Sequence, residues 1–347
     1  MSTKTRIPRW LKWEFWPYHI FYIPVSFLFI IHAFRSRSLA YITLSNPGMR
    51  MGGFSNYSKY DILRQLAPKF LPRTVLFQSA PTLALLKQQM QQEGISYPVI
   101  LKPDQGERGW KVEKISNETQ LISYLSDAPE KLMLQEYIDL PEEYGIMYYR
   151  FPGHATGTIS SVMKRQFLTV AGDGNSTLIE LFQQNERCMY HIKRLTTKFK
   201  NELETVLPAD EEMILEEIGN HNRGTTFFSA QSLISSALVK VFDEASSTLN
   251  EFYFGRYDVR THSFDEMLKG NFKVIEVNGA NSEPTHIYDP DMSLWKAYRD
   301  LFHHWTILFR ISMQNRKRGF IPPPAKDFYS AIRSHLKEKA QHPNKID

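Results

Sequence analysis

Two stretches in the last third of the chain carry residues that could meet a charged ligand: Gly255-Arg256-Tyr257-Asp258-Val259-Arg260 and Phe272-Lys273-Val274-Ile275-Glu276-Val277-Asn278. Both read as β-strands. Strand side chains alternate between faces, so Arg256 and Asp258 share one face, as do Glu276 and Asn278. If the strands pair, Asp258, Glu276 and Asn278 offer three oxygen ligands beside the Arg256 guanidinium. Oxygen ligands suit a hard cation such as Mg²⁺, which usually brings nucleotide phosphates with it, so the expected chemistry is a Mg-ATP site. The competing reading is the solvated face of a half-exposed antiparallel sheet.

Other elements must bring phosphate contacts to that face. Tyr97 to Lys102 reads as a buried strand, and it runs into Asp104-Gln105-Gly106-Glu107-Arg108-Gly109-Trp110. The glycines of that turn, Gly106 and Gly109, let backbone approach an anion. A strand from Trp110 to Ile115 would complete a hairpin. Upstream, a helix is expected from about Ser58 to Ala67, a strand from Arg73 to Phe77 and a helix between Pro81 and Gly94. Asn117 with Gln120 resembles a capping box. Leu132 to Leu134 is a short buried strand leading to Gln135-Glu136-Tyr137-Ile138.

A β-rich stretch from Tyr144 to Val170 follows, then a helix capped by Thr177 and Glu180. Polar helical sequence to Lys200, an acidic helix over Asp210 to Glu217, a loop from Gly219 to Thr225, and a helix within Gln231 to Phe254 complete the middle. A C-terminal helix spans Ser293 to Met313, and residues 321–347 read as a loosely attached basic tail.

With 347 residues the chain can build two or three subdomains. Cys188 is its one cysteine, which excludes an internal disulfide and a multi-cysteine metal site and points to a reducing compartment. The net charge of +5 suits an acidic partner such as ATP, anionic lipid or nucleic acid. Basic residues gather at both ends, Lys4, Arg6, Arg9, Lys12, Arg35 and Arg37 in the first and Arg316, Lys317, Arg318, Lys326, Arg333, Lys337 and Lys339 in the second. The first set brackets Phe15 to Phe34, a run without Asp, Glu, Lys or Arg, to which Trp10, Trp13, Trp16, Tyr18 and Tyr22 add interfacial rings. Pro17, Pro24, His19 and His32 argue against a simple span. The expectation is a re-entrant or interfacial anchor through residues 10–40, holding a cytoplasmic protein at the inner face of the cell membrane; the alternative is a buried apolar arm. There is no His-Glu-x-x-His motif and no Gly-x-Ser-x-Gly elbow, and Gly219 to Thr226 lacks the lysine of a Walker loop. No nucleic-acid motif accompanies the basic ends, so nucleic acid is not expected as a partner and membrane phosphate is the simpler one.

Taken in order, Lys102 with its glycine turn, Gln135 to Ile138, Glu143 and the set Arg256, Asp258, Glu276 and Asn278 resemble the ATP-grasp superfamily. Within it the resemblance is to the D-alanine:D-alanine ligase and cyanophycin synthetase type of carboxylate–amine ligase, over roughly residues 56–310. Ser58-Lys59 and Leu71-Pro72 resemble the start of those ligases' central domain. Ser161 to Arg165, Ala171-Gly172-Asp173-Gly174 and Leu178 to Leu181 resemble a later segment of the cyanophycin relatives. The resemblance implies an α+β, ATP-grasp fold, two α+β subdomains gripping ATP, behind a reduced N-terminal region. The boundaries expected are 1–45 for the apolar and basic segment, 46–92 for a reduced region, 93–320 for the ATP-grasp domain and 321–347 for the tail.

It also implies roles. Lys59 and Lys102 would contact phosphate, Glu136 the adenine amino group, the Tyr137 and Ile138 backbone the ring edge, and Glu143, with Glu142 as the competing candidate, the ribose. Asp258, Glu276 and Asn278 would hold two Mg²⁺ ions, with Mn²⁺ as a substitute, and Arg256 would stabilise the tetrahedral intermediate. Gly106 to Gly109 would cover the phosphates and keep water from an acyl phosphate. Lys164 or Arg165 either touches phosphate or flanks a strand. The chain departs from the family in its short N-terminal region, in Gly-Glu-Arg-Gly where a serine-rich loop is usual, and after Asn278. Asn281, Glu283 and His286 are therefore candidate substrate groups, as are Asn220, His221, Asn222 and Arg223. The implied reaction is Mg-dependent, ADP-forming amide synthesis through an acyl phosphate at the membrane surface, with a carboxylate and an amine as partners, lipid-linked substrates included. The alternatives are an ATP-grasp kinase and a non-catalytic membrane-bound nucleotide-binding protein.

Overall fold

Short apolar strands punctuated by polar turns build two antiparallel sheets that face one another across a cleft. The structure is a computed structural model, and it describes residues 12–106, 109–217, 219 and 223–341. The first sheet has the order β1-β4-β2-β3, from β1 (Thr74–Phe77), β2 (Val99–Pro103), β3 (Glu113–Ile115) and β4 (Leu132–Glu136). Leu132 and Leu134 of its central strand are fully buried beneath Leu86 and Met90 of the helix Leu83–Gln92 and Leu121 and Tyr124 of the helix Glu118–Leu125. The second helix begins where Asn117 accepts a hydrogen bond from the Gln120 amide at 3.0 Å, but the Gln120 side chain accepts from Ser116 N rather than completing the box.

The second sheet has the order β11-β10-β5-β6-β9, from β5 (Glu142–Tyr149), β6 (Thr158–Gln166), β9 (Thr226–Ser229), β10 (Phe254–Thr261) and β11 (Phe272–Asn278). Alternation divides it cleanly. Tyr144, Ile146, Tyr148, Tyr257, Val259 and Val277 join the main core, where Leu238, Phe242 and Ala245 of the helix Ser236–Ser246 cover them. The intervening residues, Glu143, Arg256 and Asp258 among them, face the cleft.

A small satellite core, containing Phe182, Cys188, Leu195 and Leu215, lies under a two-stranded sheet of β7 (Thr169–Ala171) and β8 (Glu212–Ile214). Here the expected acidic helix over Asp210 to Glu217 is corrected to a strand. Val170 pairs with Met213 and Leu215 N donates to Leu168 O at 2.8 Å, so tertiary pairing overrides the helix-forming glutamates. Thr226–Ser229, which the sequence reading gives to no strand, pairs with β6 at the sheet edge.

The apolar N-terminal run breaks into the helices Tyr18–Phe21 and Ile23–Ser36. Phe21, Tyr22 and Val25 pack on Ala297 and Leu301 of the long helix Leu294–Lys317, and Ala33 packs with its Leu308 and Phe309. The opposite face, with Ile23, Phe27, Ile30 and Phe34, is exposed. Among the described residues, no helix is long and apolar enough to cross a membrane. Where a loose tail is expected after residue 321, a helix Ala325–Gln341 forms and buries Phe328 against Phe54, their rings 5.7 Å apart.

Candidate active site

Antiparallel pairing of β10 with β11 places Asp258 opposite Glu276 and Arg256 opposite Asn278. The register then slips, Asp258 facing Glu276 and Val259 facing Val274, which leaves Ile275 unpaired in a bulge. That bulge has a use. It frees the Ile275 carbonyl to accept from Lys102 Nζ at 3.0 Å, across from the first sheet.

Lys102 lies on β2, buried, with its ammonium also 2.9 Å from Gln135 Oε1 on β4. Burial pushes its pKa down to about 8, against the pull of the Glu276 charge. Lys59 comes from the first turn of the helix Lys59–Leu63 and pairs with Glu276 at 2.9 Å. Asp104, at the end of β2, fixes that helix: its Oδ1 accepts from Ser58 Oγ at 2.9 Å and Tyr60 N at 3.0 Å. The glycine turn and Lys59 are thus coupled through one carboxylate.

Asp258 is almost fully buried between two guanidiniums, Arg256 at 2.8 Å and Arg165 at 3.1 Å. Burial alone would raise its pKa, but Arg165 and Arg256 more than offset this and hold it below the usual carboxylate range. Glu276 is likewise held down, Lys59 and Lys102 overcoming burial and the neighbouring Asp258 charge. Arg165 also pairs with Glu143, whose second oxygen meets Arg260 Nε at 3.1 Å. Arg165 lines the cleft, while Lys164 pairs with Glu142. Arg260 was legible: it sits two residues past Asp258 on the same alternating face. Lys59, Lys102, Arg165, Arg256 and Arg260 outnumber Asp258, Glu276 and Glu143, so the centre of the cleft is net positive.

Two carboxylates and the Asn278 amide oxygen, which accepts from Tyr57 OH at 3.1 Å, form an all-oxygen set. Such a set fits Mg²⁺ in kind. Among the described residues, no group of three or more His, Cys, Asp or Glu converges, so the fit depends on Asn278 and on ligand oxygens.

The cleft has a volume of about 590 Å³. At one end, Ile100, Val112, Tyr137 and Ile275 make an apolar slot beside Glu136 and Ile138. The Glu136 carboxylate is paired with Arg73 at 2.6 Å, and Ile138 O accepts from Arg260 at 2.8 Å. Gly106 and Gly109 border the cleft, and both have positive φ; Glu107 and Arg108 between them lie outside the described residues, as do Asn220, His221 and Asn222. Arg223 donates to Gly109 O at 3.2 Å, which ties its loop to the glycine turn rather than to the cleft. At the other end, Asn281, Glu283, Thr285 and Tyr288 line the cleft together with Glu14, Trp16, Tyr18, Phe21 and Phe54. His286 does not line it. It is buried beneath the loop that follows Asn278, 2.7 Å from Ser161 and 3.2 Å from Asp300, and supports that loop instead. Sequence reasoning missed the N-terminal wall because nothing local says which surface an apolar arm will cover.

No protein-family model matches the chain, and no curated protein matches it. Among solved structures, it is similar to the VanG D-Ala:D-Ser ligase of Enterococcus faecalis, at 12% identity and a TM-score of 0.42, over 75% of this chain and 62% of that one. A D-alanine–D-alanine ligase of Bacillus anthracis complexed with ATP matches at 12% identity and a TM-score of 0.41, over 82% of this chain and 71% of that one. The bifunctional glutathione synthetase of Pasteurella multocida matches at 14% identity and a TM-score of 0.38, over 73% of this chain and 38% of that one. The three structures to which the chain is similar are thus described as two ligases and a glutathione synthetase.

Proposed function

We propose that this protein is an ATP-dependent, ADP-forming carboxylate–amine ligase. The observation that carries the reading is the meeting, in one cleft, of Lys59 and Lys102 with the set Arg256, Asp258, Glu276 and Asn278. ATP brings about four negative charges that must be neutralised before an anionic carboxylate can approach. Lys59, Lys102 and Arg165 supply that neutralisation in a buried setting where charge interactions are strong. Asp258, Glu276 and Asn278 would hold Mg²⁺, which when bound neutralises phosphate charge and orients the transferring group. The apolar slot of Ile100, Val112, Tyr137 and Ile275 suits a purine.

In the reaction a carboxylate oxygen attacks the γ-phosphorus and ADP leaves. An amine then attacks the acyl carbon of the acyl phosphate, inorganic phosphate leaves, and an amide forms with loss of one proton. Arg256, at the substrate end, donates to the oxygen that becomes negative in the tetrahedral state. The test is turnover: ADP should form from Mg-ATP only when fractions supplying both a carboxylate and an amine are present. ADP formation indifferent to the amine would favour phosphoryl transfer alone.

The reading extends to location. Ile20, Ile23, Phe27, Ile30, Ile31 and Phe34 are exposed on one helical arm, and the exposed Arg35 and Arg37 lie at its end. An apolar face rimmed by cations is complementary to an anionic lipid surface on which the arm would lie without crossing.

A further inference from the structure

Seven carboxylates line the cleft, and their partners separate one from the rest. Asp258 pairs with Arg256 and Arg165, Glu276 with Lys59, and Glu143 with Arg165 and Arg260. Glu136 pairs with Arg73, Glu217 with Lys114 and Glu14 with Arg187. For Glu283, no lysine, arginine or histidine is in ion-pair reach among the described residues. Its carboxylate instead accepts from two phenols, Tyr22 OH on one oxygen and Tyr288 OH at 3.0 Å on the other.

The position is built. His304, which burial pushes down to a pKa of about 3 and so keeps neutral, donates from Nε2 to Ser282 O at 2.9 Å. Arg256 Nη1 reaches the Glu283 carbonyl at 3.4 Å, which puts the residue beside the reacting end of the cleft. Around it are aromatic faces: Tyr18 stacks on Tyr22 with centroids 4.1 Å apart, and Phe21 lies 6.0 Å from Tyr288. Trp16 and Phe54 complete the wall. An anion without a cationic partner, set among aromatic rings, is complementary to an organic cation. It is a poor metal site, because hydroxyl donors already point at the oxygens a metal would need.

Resting on the ligase reading, we infer that Glu283 is the subsite for the amine substrate, which it binds as a primary ammonium group carried on an apolar or aromatic body; the ammonium passes one proton to the Glu283 carboxylate to free the attacking lone pair and loses its second as the amide forms. The N-terminal arm is then part of the acceptor site as well as of the molecule's surface. Tyr22 and Tyr288 are positioning residues that aim the carboxylate.

Calorimetric titration of the protein tests this with phenethylammonium as probe and 2-phenylethanol and 3-phenylpropionate as its neutral and anionic counterparts. The expected result is that phenethylammonium binds at least tenfold more tightly than either counterpart, a comparison that needs no variant. Glu283→Gln should weaken phenethylammonium at least tenfold, and Glu283→Asp should restore part of the loss, with Mg-ATP affinity equal in all three proteins. Equal binding of the three probes, preference for the anion, or an affinity untouched by Glu283→Gln would overturn the assignment. Loss of Mg-ATP binding by the wild-type protein would instead sink the ligase reading and leave the ammonium result to stand on its own.

Discussion

Lys102 must keep its charge in a buried place to meet phosphate, and its pKa near 8 makes that charge sensitive to mildly alkaline solution. The cationic form binds ATP, so Mg-ATP affinity should fall as pH rises through about 8, a bend that calorimetry from pH 6.5 to 9.5 should find in the wild type and lose in Lys102→Met. The sign for stability is opposite. A lysine lowered in the folded state binds fewer protons there than in the unfolded chain, so its cost is fully present below about pH 8 and fades as pH rises toward the usual lysine value. Glu143 carries a separate prediction. Glu143→Gln leaves Arg165 and Arg260 short of a buried counter-charge and should destabilise the protein by about 3 kcal/mol, read as a lower denaturation midpoint even without nucleotide. At this scale the sequence was informative where alternation applies: Arg256, Asp258, Glu276 and Asn278 meet as strand geometry implies. It was silent where partners come from afar, as with Glu283 and Tyr22, separated by 261 residues.

The pairing of β10 with β11 follows from alternation, but the bulge at Ile275 that frees a carbonyl for Lys102 leaves no mark in residue types. The misread strand β8 has a similar cause, since Glu212 to Ile214 takes its conformation from β7 rather than from its own propensity. Just past β11, Gly279 packs on the turn before the Lys59 helix. A Cβ there would come within 2.7 Å of both Gly52 O and Gly53 Cα, backbone on either side. Gly279→Ala should therefore cost about 1–3 kcal/mol and displace the loop carrying Asn281 and Glu283. The check is a thermal midpoint together with ammonium binding weakened more than Mg-ATP binding.

Over the whole molecule, the N-terminal arm is half core and half surface: Phe21 and Val25 are buried while Phe27 and Phe34 are exposed. The packed stripe is what the buried-arm reading of the run expects, and the bare stripe is what the lipid proposal concerns, because a helix can bury one stripe and leave another exposed. If the bare stripe meets lipid, the protein should cosediment with vesicles containing phosphatidylglycerol and release as salt screens the charges. The pair Phe27→Glu and Phe34→Glu should abolish cosedimentation while leaving the denaturation midpoint nearly unchanged, since both side chains are exposed. Cosedimentation surviving both changes would remove this face from the account. The central claim, acyl-phosphate chemistry in the cleft, is tested most directly by adding hydroxylamine to protein, Mg-ATP and a metabolite and membrane extract, beside a Glu276→Gln control. The account predicts ADP and a hydroxamate, both lost in Glu276→Gln; ADP without hydroxamate, or no turnover despite tight Mg-ATP binding, would contradict it.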